Sequence, residues 1–158
     1  MAARTSPTGR AVARVVPAVA AGMVEAAVGV AQRLVPLPLE YPDAVANVAA
    51  LIAGDPRNAE HVRTVVTAIV GDAMTDPFRE TTANRWRPLL PPWVRPAVIG
   101  ATVRRLLAAG VLVATGRYVR STDAHGRNQN KLQPVYALNL TPLREPPRIR
   151  SDVEVPAP

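Results

Sequence analysis

The sequence predicts a mainly helical fold with a small β-hairpin. Three observations predict it. Apolar residues recur at three- and four-residue steps through residues 56–75 and 96–109. Proline and glycine punctuate the chain at the ends of those runs. After Gly110 the period changes to two. Hydrophobic residues are 48% of the 158, enough for a core. Aromatics are only 4%, so that core has to be built from Val, Leu, Ile and Ala.

The elements follow in order. Residues 1–9 (MAARTSPTG) are small and polar and read as disordered. Residues 10–35 are rich in Ala and Val, with Arg10, Arg14, Glu25 and Arg33 as their charges. A basic start and an uncharged stretch resemble a targeting peptide. Pro17 and Gly22 fall inside that stretch, and Glu25 ends it well short of the ~20 apolar residues of a membrane span. The reading is therefore a helix without membrane contact. Residues 10–54 form an N-terminal helical extension, suited to a homodimer contact or a protein partner. Pro36, Pro38 and Pro42 make 35–42 a linker.

Asp43 caps a helix over about 44–53, ended by Gly54. Asp55 followed by Pro56 is a second start: a capping side chain, then proline at the first helical position. Val62, Val65, Val66, Ile69, Val70 and Met74 then mark an amphipathic helix over 56–75. Thr81 and Thr82 cap a third helix through Trp86 towards Leu90, shortened by Pro88 and stopped by Pro91 and Pro92. Pro96 opens a helix to Ala109. Ile99, Val103, Leu106 and Leu107 share one face of it, opposite Ala97, Val98, Ala101, Arg104, Arg105 and Ala108. Gly100 and Ala101 allow close helix approach, and Gly110 is the left-handed cap. Val111, Val113, Tyr118 and Arg120 belong to one strand and residues 134–138 to another, joined by a polar loop at 121–130. Residues 142–158 are proline-rich and of mixed charge and read as a disordered tail. Trp86, Trp93 and Tyr136 are assigned to the core.

Several chemistries are excluded. There is no Cys, so no disulfide, thiolate zinc site, iron–sulfur cluster or Cys nucleophile can form. His61 and His125 are far apart in sequence and offer little to a triad or a metal site. No Gly-rich phosphate loop is present. Scattered acids do not make a nuclease, so the chain is read as neither an enzyme nor a cofactor binder.

The charge is informative by position. Net charge is +7, and 18 of the 19 cations are Arg, with Lys131 the sole Lys. An Ala- and Arg-rich composition is what a GC-rich gene gives, so the total carries less than the distribution. Residues 35–76 have Arg57 and Arg63 against six acids, a net −4. Residues 79–131 have ten cations against Glu80 and Asp123, a net +8. Codon bias alone spreads Arg evenly. A patch this dense draws in a polyanion.

Three helices followed by a hairpin with a long polar tip is the order of a winged helix-turn-helix. The stretch TTANRWRPLLPPWVRPAVIGATVRRLLAAGVLVATGRYVRSTDAHGRNQNKLQPVYALN, residues 81–139, resembles the winged-helix modules of small phage- and prophage-encoded proteins. The likeness rests on a short helix, a proline-rich turn, a helix closed by Gly110, a loop with His125-Gly126, and a last strand carrying Tyr136. It extends to about 80 residues with the helix at 56–75, and places a winged-helix domain at 55–141. The resemblance implies sequence-specific or semi-specific double-stranded DNA binding in the cytoplasm, on the nucleoid. The role would be a transcription regulator or a replication or accessory factor of a mobile element.

The helix at 96–109 would enter the major groove. Arg95 stands at its N-terminus, where a two-pronged grip on guanine is worth about 1–3 kcal/mol of discrimination. Thr102 would meet a thymine methyl or a phosphate. Arg104 and Arg105 would meet phosphates, and Arg85 and Arg87 the backbone from the preceding helix. Arg117, Arg120, Arg127 and Lys131 would flank the duplex from the hairpin. The competing reading is an adaptor or structural subunit that uses the same fold for protein contact. In that case Arg104 and Arg105 pair with Glu80 or with acids of 35–76.

Overall fold

The computed structural model describes residues 18–33, 44–123 and 129–144. The segments read as 1–9, the linker 35–42, the Asp43 cap and the end of the tail from 145 lie outside the described residues. The helices are α1 (Ala18–Gln32), α2 (Ala44–Gly54), α3 (Ala59–Met74), α4 (Ala83–Trp86), α5 (Pro96–Ala108) and α6 (Thr141–Arg144). The strands are β1 (Glu80–Thr81), β2 (Leu112–Arg120) and β3 (Leu132–Leu138). They form one antiparallel sheet in the order β1-β3-β2. The expectation of a mainly helical chain with a small hairpin is met, with β1 as an added edge strand. No helix among the described residues is long and apolar enough to cross a membrane.

α3 is the centre of the core. Val62, Val65, Val66, Ile69, Val70 and Ala73 are all fully buried, at the three- and four-residue spacing of one helical face. α1 lies against it through Val24, Ala27, Val28 and Ala31. Ala27 and Ala31 have no exposed surface, and side chains that small bring two backbones close. α2 adds Ala49 and Ala53, α5 adds Val98, Ala101 and Leu106, and the sheet adds Leu112 and Leu138. The N-terminal helices thus join the same hydrophobic cluster as the rest. The Ala/Val face of α1, expected to serve an interface, is occupied by this core.

Local chemistry explains the boundaries. Asp55 accepts from the Arg57 backbone N–H at 2.9 Å, and Pro56 opens a 3₁₀ turn (Pro56–Asn58) into α3. The α5 C-terminus closes as a Schellman motif. The Gly110 N–H donates to Leu107 O at 3.0 Å and the Val111 N–H to Leu106 O at 2.9 Å, with Gly110 at φ 70°. In β2 the pairing slips between Ala114↔Tyr136 and Tyr118↔Pro134. The slipped segment contains Gly116 at φ 79°, and the Thr115 hydroxyl donates to Val135 O at 2.9 Å.

Several expectations are corrected. Neither threonine caps α4 through its side chain. Thr81 is in β1, where its hydroxyl donates to Asp72, and Thr82 makes no capping bond. α4 ends at Trp86 because Pro88 allows only a 3₁₀ turn (Arg87–Leu89) after it. The buried face of α5 is Val98, Ala101, Thr102, Arg105 and Leu106, rotated from the expected one, because α1, α2 and α3 cover it from a side the apolar pattern alone did not reveal. A Cβ built on Gly100 meets nothing within 4 Å, so close approach is not its role. Trp93 is 47% exposed, whereas Trp86 is buried as expected. Residues 142–144, read as part of a disordered tail, belong to α6, and Leu143 packs on the core.

The two glycines of this region make opposite predictions. Gly110→Ala forces a Cβ into the left-handed region and lowers stability by about 1 kcal/mol. Gly100→Ala removes backbone entropy from an open helical position and raises it by about 0.5–1 kcal/mol. Urea unfolding monitored by circular dichroism reads both. Equal shifts of the same sign would show that the cap at Gly110 is not strained.

Candidate nucleic-acid interface

The ten residues singled out from the sequence divide sharply once placed. Thr102 has no exposed surface, and its hydroxyl donates to Val98 O at 2.8 Å, one turn back. A side chain spent on its own helix and sealed in the core cannot meet a thymine methyl, so that assignment is corrected. Arg105 is 8% exposed and is corrected likewise. Its Nε donates to Ala31 O at 3.3 Å, and its terminal nitrogen donates to Arg33 O. It caps the C-terminal end of α1, where free carbonyls and the negative end of the helix dipole favour a cation.

Arg85 is tied down as well. Its Nε donates to Asp72 Oδ1 at 3.0 Å, and other nitrogens reach Asp72 O and Glu80 O, both at 3.3 Å. Asp76 Oδ1 lies 3.6 Å away. The same Asp72 carboxylate accepts from the buried Thr81 hydroxyl at 2.6 Å. Arg85 is therefore a strut joining α3, β1 and α4, not a free phosphate ligand. Arg117 forms an ion pair with Glu80 across the sheet. Glu80, which could have neutralised α5, is engaged there instead. The Asp76 carboxyl is held below its ordinary range, first by the Glu80 N–H and then by the Phe78 N–H and the Arg85 charge.

Five of the ten remain exposed with no ion pair among the described residues: Arg87, Arg95, Arg104, Arg120 and Lys131. Arg127 lies outside the described residues, as does His125. Arg87 and the hairpin are brought together by Asn84 of α4. Its amide donates to Arg120 O at 2.7 Å and accepts from the Thr122 N–H at 3.0 Å. Arg87 lines the resulting groove with Thr122, Asp123 and Gln133. Lys131 O accepts from the Ser121 N–H at 2.9 Å, closing the base of the hairpin loop beside Arg120.

Arg95 has different neighbours. It is the residue before α5, and its N–H donates to His61 Nδ1 at 3.3 Å. Arg104 lies on the outer side of α5, lining a groove shared with α2. Its charge reaches Tyr136, whose hydroxyl is pushed up mainly by burial and next by Tyr118, with Arg104 pulling the other way.

The rest of the exposed side of α5 is Pro96, Ala97, Gly100 and Ala108. Arg104 is the polar side chain it presents. Arg79 is an exposed cation the site reading did not single out; it sits at φ 55° in the turn before β1, a strained geometry that no sequence pattern announces. Among the described residues no cluster of His, Asp or Glu could hold a metal. No family model, curated protein or solved structure matches this chain.

The division predicts distinct mutant classes. Asp72→Ala leaves a buried hydroxyl and a half-buried guanidinium without their acceptor and lowers stability by about 2–4 kcal/mol. Arg105→Ala exposes no new surface for binding but orphans the α1 carbonyls, lowering stability by about 1–3 kcal/mol. Arg104→Ala stays within about 0.5 kcal/mol of the parent. Thermal and urea melts of the three variants check the order. Arg104→Ala as damaging as Arg105→Ala would overturn the assignment of Arg105 as a helix cap.

Proposed function

We infer that the chain binds double-stranded DNA, chiefly by contacts to phosphates. The observation that carries this is the order α3-β1-α4-α5-β2-β3, with the edge strand β1 paired to β3. That is the order of a winged helix, and its α4–α5 and hairpin segments hold exposed cations with no ion pair among the described residues. Arg87, Arg120 and Lys131 at the base of the hairpin would hold one backbone, and Arg95 would approach from the amino end of α5.

Base reading by α5 gains little support. An α-helix reads the major groove through side chains that donate and accept hydrogen bonds. Here the accessible positions are mostly Ala, Gly and Pro, and Thr102 and Arg105 are withdrawn into the core. The reading is therefore affinity with weak sequence preference, as suits an accessory factor of replication or packaging better than a regulator of one operator.

A second reading has its own observation. Val48 and Leu51 of α2 are 54% and 67% exposed on a helix with no charged residue. Val48 borders the groove of about 430 Å³ between α2 and α5. An adaptor or homodimer that docks through this face would need no DNA at all.

Fluorescence anisotropy with a labelled duplex, titrated with salt, separates the two. DNA binding through phosphates gives a linear fall of log affinity with log salt, with a slope of about −0.9 per contact. Arg87→Ala and Arg120→Ala each flatten that slope by about one and weaken unrelated duplex sequences alike. Absence of binding at low salt would rule out the DNA reading and leave the adaptor.

A further inference from the structure

Trp93 is one of three exposed aromatics, with Phe78 at 81% and Tyr118 at 62%. The sequence has two Trp, and an aliphatic core can bury a side chain of that size. Trp86 is spent that way, at 4% exposed, while Trp93 is 47% exposed. It is nevertheless held in place. The turn Pro91–Val94 is closed by the Val94 N–H donating to Pro91 O at 3.1 Å, and the next side chain, Val94, is buried. Pro91, Pro92 and Pro96 fix φ on both sides of it. The indole meets the His61 ring edge to face, with centroids 5.1 Å apart and planes at 72°. His61 in turn accepts the Arg95 N–H through Nδ1. The result is a stiff, half-open aromatic next to an exposed guanidinium that forms no ion pair among the described residues.

We propose that Trp93, braced by His61 and flanked by Arg95, is a stacking platform for an unpaired nucleobase. The inference rests on the DNA reading and extends it. Inside a duplex both faces of each base are covered by neighbouring bases. A rigid indole beside the helix amino end finds an open π-face only where a base is unstacked: at a frayed end, a junction or a single-stranded tail. Arg95 is placed to take the phosphate of the same nucleotide. Stacking on an aromatic is tolerant of base identity, which agrees with an α5 surface poor in base-reading groups. The fixed turn means little conformational freedom is lost on contact.

The test compares a blunt duplex with the same duplex carrying a short single-stranded tail. Anisotropy is used with the full chain. The tailed duplex binds about tenfold tighter. Trp93→Phe keeps most of that preference, while Trp93→Leu and Trp93→Ala abolish it and leave blunt-duplex affinity in place. Intrinsic fluorescence of the parent protein is quenched by the tailed duplex and much less by the blunt one; Trp86 is shielded in the core and contributes a constant background. Thermal melts confirm that the Leu and Ala variants are folded. Equal binding of both duplexes overturns the platform but not the DNA reading. Retention of the preference by Trp93→Leu overturns it too, since bulk without a π-face would then suffice. Failure to bind either duplex overturns both, and assigns the exposed indole to a protein contact.

Discussion

The Asp72 carboxylate is the junction on which the rest of the architecture depends. β1 has two residues, too few to hold an edge by its ladder alone. Its position is set instead by Thr81 donating to Asp72, and by Arg85 bridging Asp72, Asp76 and Glu80 O. One buried acid near the end of α3 thereby locates the strand that follows α3 and the short helix α4 after it. β1 pairs with β3, so the hairpin inherits the same reference point. Asn84, on the helix that Arg85 anchors, then ties the far end of β2 back to α4. The position of the exposed cations around the hairpin is fixed through this chain of contacts together with the packing of Leu112 and Leu138 on the core.

Arginine does two kinds of work here, and counting charges does not distinguish them. Arg105 is a buried strut, and Arg85 a half-exposed one. A guanidinium can satisfy several acceptors at once in a fixed plane, which suits the carbonyls at the end of α1 and the crowded corner at Asp72. Arg87, Arg95, Arg104 and Arg120 are exposed and form no ion pair among the described residues, though the Arg95 charge reaches the Asp55 carboxylate. The +8 of residues 79–131 is therefore an overstatement of the field available to a ligand. With Arg105 committed to carbonyls, and Arg85 and Arg117 to carboxylates, the attraction comes from fewer and more separated groups. On the proposed DNA reading, that arrangement would favour tracking a backbone over gripping one sequence.

Much of the fold was legible because its signals are local. The Asp55-Pro56 start, the valine face of α3, the proline at the head of α5 and the glycine at its end each act within a few residues. What was not legible depends on partners distant in sequence. The period of α5 is compatible with more than one buried face, and the choice was made by α1 and α2 packing on it. Arg105 sits more than 70 residues from the carbonyls it caps, so its role has no sequence signature. β1 is too short to show alternation. Trp93 looked like core because aromatics are scarce, but the prolines around it hold it at a turn where burial is out of reach. Of the site, the surviving cations were legible as types and positions. Which of them would be consumed by structure was not.

The placement of α2 limits how a duplex could approach. α2 runs beside α5, and the groove between them is lined by Val48, Ile52, Ala97 and Gly100 with Arg104 at its side. A duplex laid along the outer face of α5 would set its phosphates against Val45 and Val48, where desolvation brings no compensating contact. The amino end of α5 and the hairpin base do not have that neighbour. Arg95 and Trp93 lie at the first, Arg87, Arg120 and Lys131 at the second. On the proposed DNA reading, engagement at these two ends with the α2 face turned away would keep the apolar and the cationic surfaces from interfering with each other.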